Sequence, residues 1–145
     1  MRSNESTMNK NYAKWYYDEK SELIILSLGP GDYLVDSINV ACKSIGFDTG
    51  VVLCGIGSFN KVNFHYFGKN TESEEKFELL SLSGTVIGGV AHLHVVLIDS
   101  GGMLIGGHLY EGRIYTVGEV AIAKTGMKLT RGRRDESELD LICGI

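Results

Sequence analysis

The run "AHLHVVLIDSGGMLIGGHLYEG" (residues 91–112) decides how this chain is read. Two apolar segments flank a small, glycine-rich break, and three of the chain's four histidines, His92, His94 and His108, fall within it. His92 and His94 are two positions apart. On a strand both side chains leave the same face, with Cα atoms about 7 Å apart. Loop length then decides where His108 goes. A three-residue loop, Ser100-Gly101-Gly102, pairs Asp99 with Met103 and therefore His94 with His108, so that all three rings share a face. Such loops commonly end in a left-handed glycine, and Gly102 stands at that position. A loop one residue shorter or longer sets Leu93 opposite His108 and turns the third ring to the other side.

Three imidazoles around one point suit Zn²⁺ or another late divalent transition metal. Three protein ligands leave a fourth position for water or substrate, which is the pattern of catalytic rather than structural zinc. Glu111, three residues past His108, is the candidate fourth ligand or acid–base group. Strict alternation turns it away, but a bulge at Gly106-Gly107 would change that, and a neighbouring subunit is another source for the missing group. Two further readings of the histidines stay open. They fit half-buried side chains with satisfied hydrogen bonds, or a catalytic histidine that needs no metal. His65, on "NFHYF", stands apart and reads as a surface or interface residue.

Outward from this hairpin the chain is mostly strand. "SELIILSLGPGD" gives a strand over 22–28. "TGVVLCGIGS" is a continuous apolar run, expected to be a strand covered on both faces. "KVNFHYFG" alternates, with Val62, Phe64 and Tyr66 on one side and Asn63, His65 and Phe67 on the other. "KFELLSLSGTVIGG" is a longer strand with room for a bulge, and "VAHLHVVLID", "MLIGGHLY" and "RIYTVGEVAIAK" follow. One helix is expected, over 33–45. Asp32 stands where an N-cap belongs, Leu34, Ile38, Ala41, Cys42 and Ile45 form an apolar stripe, and Gly46 follows as the stop. Residues 1–11 read as a frayed start. The segment 125–145 reads as a short strand and a tail, about 130–145, that folds back through Leu139, Leu141 and Ile142. The whole of 1–145 is therefore expected to be one α+β domain, a mostly antiparallel sheet with a helix on one face.

Composition narrows the function classes. The chain has 145 residues, 43% hydrophobic and 22% charged, with 19 glycines and one proline, Pro30. Its formal net charge of −4 disfavours general nucleic-acid binding, which depends on clustered Lys and Arg. "TRGRRDESELD" holds three arginines, but acidic residues follow at once, so it reads as a solvated surface. No apolar run has transmembrane length, and the start lacks a signal-peptide core. Cys42, Cys54 and Cys143 form neither a C-x-x-C pair nor an even-numbered disulfide set, and Cys54 is expected to be buried. These features indicate a cytoplasmic protein. "CGIGSFN" lacks the third glycine of a dinucleotide fingerprint, so its glycines are assigned to a tight turn or close packing.

"GVVLCGIGSFNKVNFHYF", "FELLSLSGTVIGG", "AHLHVVLIDSGGMLIGGHLYEG" and "IYTVGEVAI", in that order, resemble the PPC domain, the "plants and prokaryotes conserved" domain. The resemblance covers about residues 20–125. It implies an α+β fold around an antiparallel sheet and a homotrimer. Stand-alone prokaryotic members carry an H-x-H plus G-G-H pattern with a bound metal, usually taken as zinc, which maps here onto His92, His94 and His108. The resemblance thus implies a trimeric zinc-binding protein of the stand-alone type, and the open position of the three-histidine site adds the reading of an enzyme acting on a small metabolite. The alternative is a DNA-associated regulator or scaffold without chemistry, because plant members bind AT-rich DNA through attached AT-hooks. Here Arg131-Gly132-Arg133 is followed by Arg134 where an AT-hook needs proline. Ala91 also replaces the proline common before the first histidine.

Overall fold

The structure is a computed structural model that describes residues 11–133 and 140–145. Its elements run β1 (Lys14–Asp18), β2 (Leu23–Leu28), α1 (Leu34–Ser44), β3 (Thr49–Tyr66), β4 (Lys69–Ser73), β5 (Phe77–Ile87), β6 (Val90–Asp99), β7 (Leu104–Lys124), β8 (Leu129–Gly132) and β9 (Leu141–Gly144). β1 to β7 form one antiparallel sheet in the order β1-β2-β7-β6-β5-β3-β4, and β8 and β9 form a separate pair. β3 also pairs with β7, from Gly50↔Lys124 to His65↔His108, which closes β3, β5, β6 and β7 into a ring. The chain is α+β, as expected.

Two long strands stand where four shorter ones were expected. β3 joins "TGVVLCGIGS" to "KVNFHYFG", and β7 joins "MLIGGHLY" to "RIYTVGEVAIAK". The glycines and polar residues between them do not end the strands. They coincide with register shifts, between Val52 and Cys54, Gly57 and Phe59, and Asn63 and Phe64, that bend the ladder while keeping it paired. The bulge expected in β5 lies between Leu79 and Ser81. β1 and β4 were not foreseen. β4, "KNTES", has no apolar alternation and depends on β3, its partner across the turn at Phe67-Gly68.

The core follows period two. Leu26 and Leu28 of β2, Val62 and Phe64 of β3, Leu93, Val95 and Leu97 of β6, and Ile122 of β7 are buried. α1 lies against β6 and β7 and buries Leu34, Ile38, Ala41 and Cys42. Each large apolar side chain removed from water in this way stabilises by about 1.5–3 kcal/mol. Burial also pushes the Cys42 thiol up to about 12, which keeps it protonated and inert. Cys54, expected to be buried, is exposed.

The helix stop is as read. Gly46 is left-handed, with φ +66. It donates its N–H to the Lys43 carbonyl at 3.3 Å while Phe47 donates to Cys42 at 2.8 Å, the paired bonds of a Schellman motif. The start differs. Tyr33 is the N-cap residue and makes no side-chain cap. Asp32 does not cap α1, because its carboxylate accepts N–H bonds from Gly29 (2.8 Å) and Tyr12 (3.0 Å) and so ties the preceding turn to the segment that leads into β1.

The first half of β3 departs from expectation in a telling way. It is apolar on both faces but covered on one, leaving Val51, Leu53 and Ile56 between 42% and 59% exposed. Leu80 of β5, Val96 of β6, and Leu104 and Val117 of β7 are exposed as well. No helix among the described residues is long and apolar enough to cross a membrane.

Candidate metal centre

The β6–β7 hairpin has the register inferred from its loop. Asp99 donates its N–H to the Met103 carbonyl at 3.0 Å, and Gly102, with φ +82, donates to the Asp99 carbonyl at 3.1 Å. The Asp99 carboxylate steadies the turn by accepting N–H bonds from Gly101 and Met103, both at 2.8 Å. His94 therefore lies opposite His108, and Leu93 opposite Leu109. Leu93 and Leu109 point into the core, so His92, His94 and His108 share the outer face. Gly107 is needed beside them, since a Cβ there would sit 2.5 Å from the Tyr66 ring.

The three rings converge. Centroids are 4.5 Å apart for His92–His108, 5.6 Å for His94–His108 and 5.6 Å for His92–His94. One ring nitrogen from each lies within 4.8 Å of the others. Tetrahedral coordination at about 2.05 Å requires nitrogens about 3.4 Å apart, so modest χ rotations close the set around an ion. No protein hydrogen bond to these ring nitrogens occurs among the described residues. Partial burial lowers the His92 pKa, helped by the Arg131 charge and His94. Burial also lowers that of His108, helped by His92, His94 and His65. Both effects favour the neutral imidazole that ligates metal. The donor set and its spacing fit a late divalent ion such as zinc, and no fourth protein ligand joins it among the described residues.

His65 is not apart from this group. It pairs with His108 across β3 and β7, with ring centroids 6.1 Å apart, and Tyr110 lies 5.4 Å from both rings. All four histidines thus sit on one face, but His65 is engaged. Its Nδ1 is 2.9 Å from Asn70 Oδ1, and its Nε2 accepts the Gly68 N–H at 3.4 Å. Burial of Val62 and Phe64 assigns His65 to the outer face, and that much was readable. The long-range β3–β7 register was not.

Glu111 is not brought to the imidazoles. Its Oε1 accepts N–H bonds from Val35 (2.8 Å) and Gly112 (2.9 Å), and its Oε2 accepts one from Asp36 (3.1 Å). It supplies the cap that Asp32 does not, at the positive end of α1. Burial raises its pKa, against the opposing pull of the three N–H donors. Three contributors to the histidine face carried no sequence signal. Ser83 and Thr85 of β5 lie opposite His94 and His92. Arg131 of β8 reaches the same place, with its Nη2 3.4 Å from Thr85 Oγ1.

With this geometry in hand, the comparisons are decisive on family. Residues 17–126 match the Plants and Prokaryotes Conserved (PCC) domain. The chain belongs to this family. Among curated proteins, the PCC chain is 31% identical over 101 residues to Bifunctional protein GlmU of Synechococcus sp. (strain JA-2-3B'a(2-13)). That match covers 68% of the PCC chain but only 16% of the relative. Among solved structures, a protein proposed to bind DNA from Bacteroides thetaiotaomicron superposes with a TM-score of 0.80 at 20% identity, covering 91% of this chain and 97% of that one. A metal-containing protein from Archaeoglobus fulgidus superposes with a TM-score of 0.70 at 22% identity, covering 89% and 96%. At these identities the structural likeness speaks to the fold.

Proposed function

We propose that this PCC-domain protein binds one divalent metal ion, zinc by the chemistry of its donors, through His92, His94 and His108, and acts on a small metabolite at the position those ligands leave open. One observation carries the reading. Three imidazoles whose ring nitrogens make no hydrogen bond among the described residues converge on one face, while His65 and Glu111 are hydrogen-bonded within the fold. A bound ion would supply Lewis-acid polarisation of a substrate oxygen. The protein's part is to hold the rings in a fan on two paired strands, with burial favouring the neutral form of His92 and His108. Glu111 enters this reading as a positioning residue, tying α1 to β7. The metal-containing Archaeoglobus relative is consistent with it. The test is metal content after purification without chelator and refilling with Zn²⁺. About one ion per chain is expected, and far less defeats the reading.

The same proposal includes a homotrimer in the cytoplasm. The exposed apolar positions of β3, β5, β6 and β7 support this, since large apolar side chains left in water are candidates for burial in an assembly. Cys42, Cys54 and Cys143 are free thiols, as suits a reducing compartment. Sedimentation should return three chains of 15.9 kDa, and a monomer at micromolar concentration removes the assembly.

A second reading, DNA association, draws on the Bacteroides relative described as a proposed DNA binder. It predicts salt-sensitive binding to AT-rich duplex that weakens when Arg131 and Arg133 become Ala. Arg134, the third arginine of that cluster, lies outside the described residues. No mobility shift at low salt removes this reading, and the net charge of −4 already weighs against it.

A further inference from the structure

The cleft on the β5 side of the histidines has a volume of about 230 Å³ and is lined by Ser83, Gly84, Thr85, His92 and His94. We infer that it holds the anionic end, a carboxylate or phosphate, of a small metabolite, with Arg131 as the cation that grips it and the Ser83 and Thr85 hydroxyls as its neutral partners. The inference rests on the proposed metal site only for the ligand's other end. The anion grip itself involves residues that no metal reading uses.

Arg131 lies on β8. β8 belongs to the separate β8–β9 pair, outside the main sheet. It nevertheless delivers a half-buried guanidinium to β5, where Nη2 donates to Thr85 Oγ1. Thr85 is the cross-strand partner of His92, so the cation stands beside the imidazole cluster. No carboxylate among the described residues pairs with it. The ion pairs there belong to Lys61, with Glu72 and Glu74. The unpaired guanidinium makes this corner electropositive, and a divalent ion held by the imidazoles would add to its charge. Such a corner is relieved by an arriving oxyanion, which the planar donor fork of arginine fits in bidentate geometry.

The floor and the size limit the ligand. A Cβ at Gly84 would lie 2.0 Å from the His92 carbonyl oxygen, so a side chain there would force β5 and β6 apart. The bare glycine keeps the two hydroxyls and the two imidazoles in one shallow row. At roughly 30 Å³ per water molecule, the cleft takes the place of only about eight waters. That is room for the carboxylate or phosphate end of a ligand.

The test is calorimetric titration of the whole chain, zinc-loaded and zinc-free, with inorganic phosphate and separately with succinate, alongside metal analysis. Wild type should bind one of the two anions, and the tighter one names the class. Arg131→Gln should weaken that binding about 10- to 100-fold, the loss of a charge-assisted bond, with metal content unchanged. Thr85→Val, which keeps the shape and removes the hydroxyl, should weaken it by a smaller factor and guards against a folding failure of the first variant. Equal affinity in wild type and R131Q overturns the inference, as does binding of neither anion at about 20 mM, beyond the millimolar range of weak specific sites. Metal uptake without anion binding sinks this inference alone. Anion binding without metal uptake sinks the metal reading alone.

Discussion

His108 and Glu111 stand three residues apart on β7 and are put to opposite uses. His108 presents its ring beside those of His92 and His94, and among the described residues none of the three makes a ring-nitrogen hydrogen bond. Glu111 turns its carboxylate inward, where three backbone N–H groups take it up. Both are polar residues in the same sequence motif, and either looks like a functional group on paper. The difference lies in saturation. A side chain whose hydrogen-bonding capacity is consumed by the fold is part of the scaffold, and one left unconsumed is available for a ligand.

The sharpest way to break this contrast is to remove each residue and measure both metal and stability. His108→Ala should weaken zinc binding at least about 100-fold, more than loss of an outer partner would. His65→Ala and Glu111→Ala should leave metal content near wild type, measured by elemental analysis after dialysis. If Glu111→Ala empties the site while the chain stays folded, the contrast is wrong.

Next in size, Glu111→Ala should lower stability by about 2 kcal/mol through the lost cap. In thermal unfolding that is a drop of about 5 °C. A smaller effect is expected at the hairpin. Gly102→Ala meets no steric obstacle, but φ is +82 there, so it should cost about 1 kcal/mol in urea unfolding, with the register and the metal site retained. The smallest effect is a pH dependence. The folded-state pKa of Glu111 is raised by burial, so the folded chain binds that proton more tightly than the unfolded chain does. The stabilising contribution is full below the ordinary glutamate range and is lost as pH rises through the raised value. Glu111→Gln should flatten this slope when urea unfolding is compared at pH 5 and pH 7.5, and an unchanged slope assigns the dependence to other groups.

Local chemistry was legible in the sequence, and long-range partnership was not. Loop length and Gly102 gave the hairpin register, and the apolar stripe with Gly46 gave the helix and its stop. Each of those signals lies within a few residues of the feature it specifies. Asp32 was misread because two acceptors compete for the start of α1, and the winner comes from β7. His65 was set apart because its neighbour His108 is found only through β3–β7 pairing. Arg131 looked like solvated surface because nothing near it in sequence indicates Thr85. The doubly apolar stretch of β3 was read as covered on both faces, and the single chain covers one.

The cap on α1 has a consequence for how the chain is made. Val35 and the carboxylate that serves it are 76 positions apart. Synthesis from the N-terminus therefore delivers the helix long before its cap exists. An isolated 11-residue helix is only marginally stable in water, so on the ribosome this segment stays loosely ordered until β7 emerges and docks. Completion of α1 is thereby coupled to late, non-local sheet closure, the slow kind of step in folding.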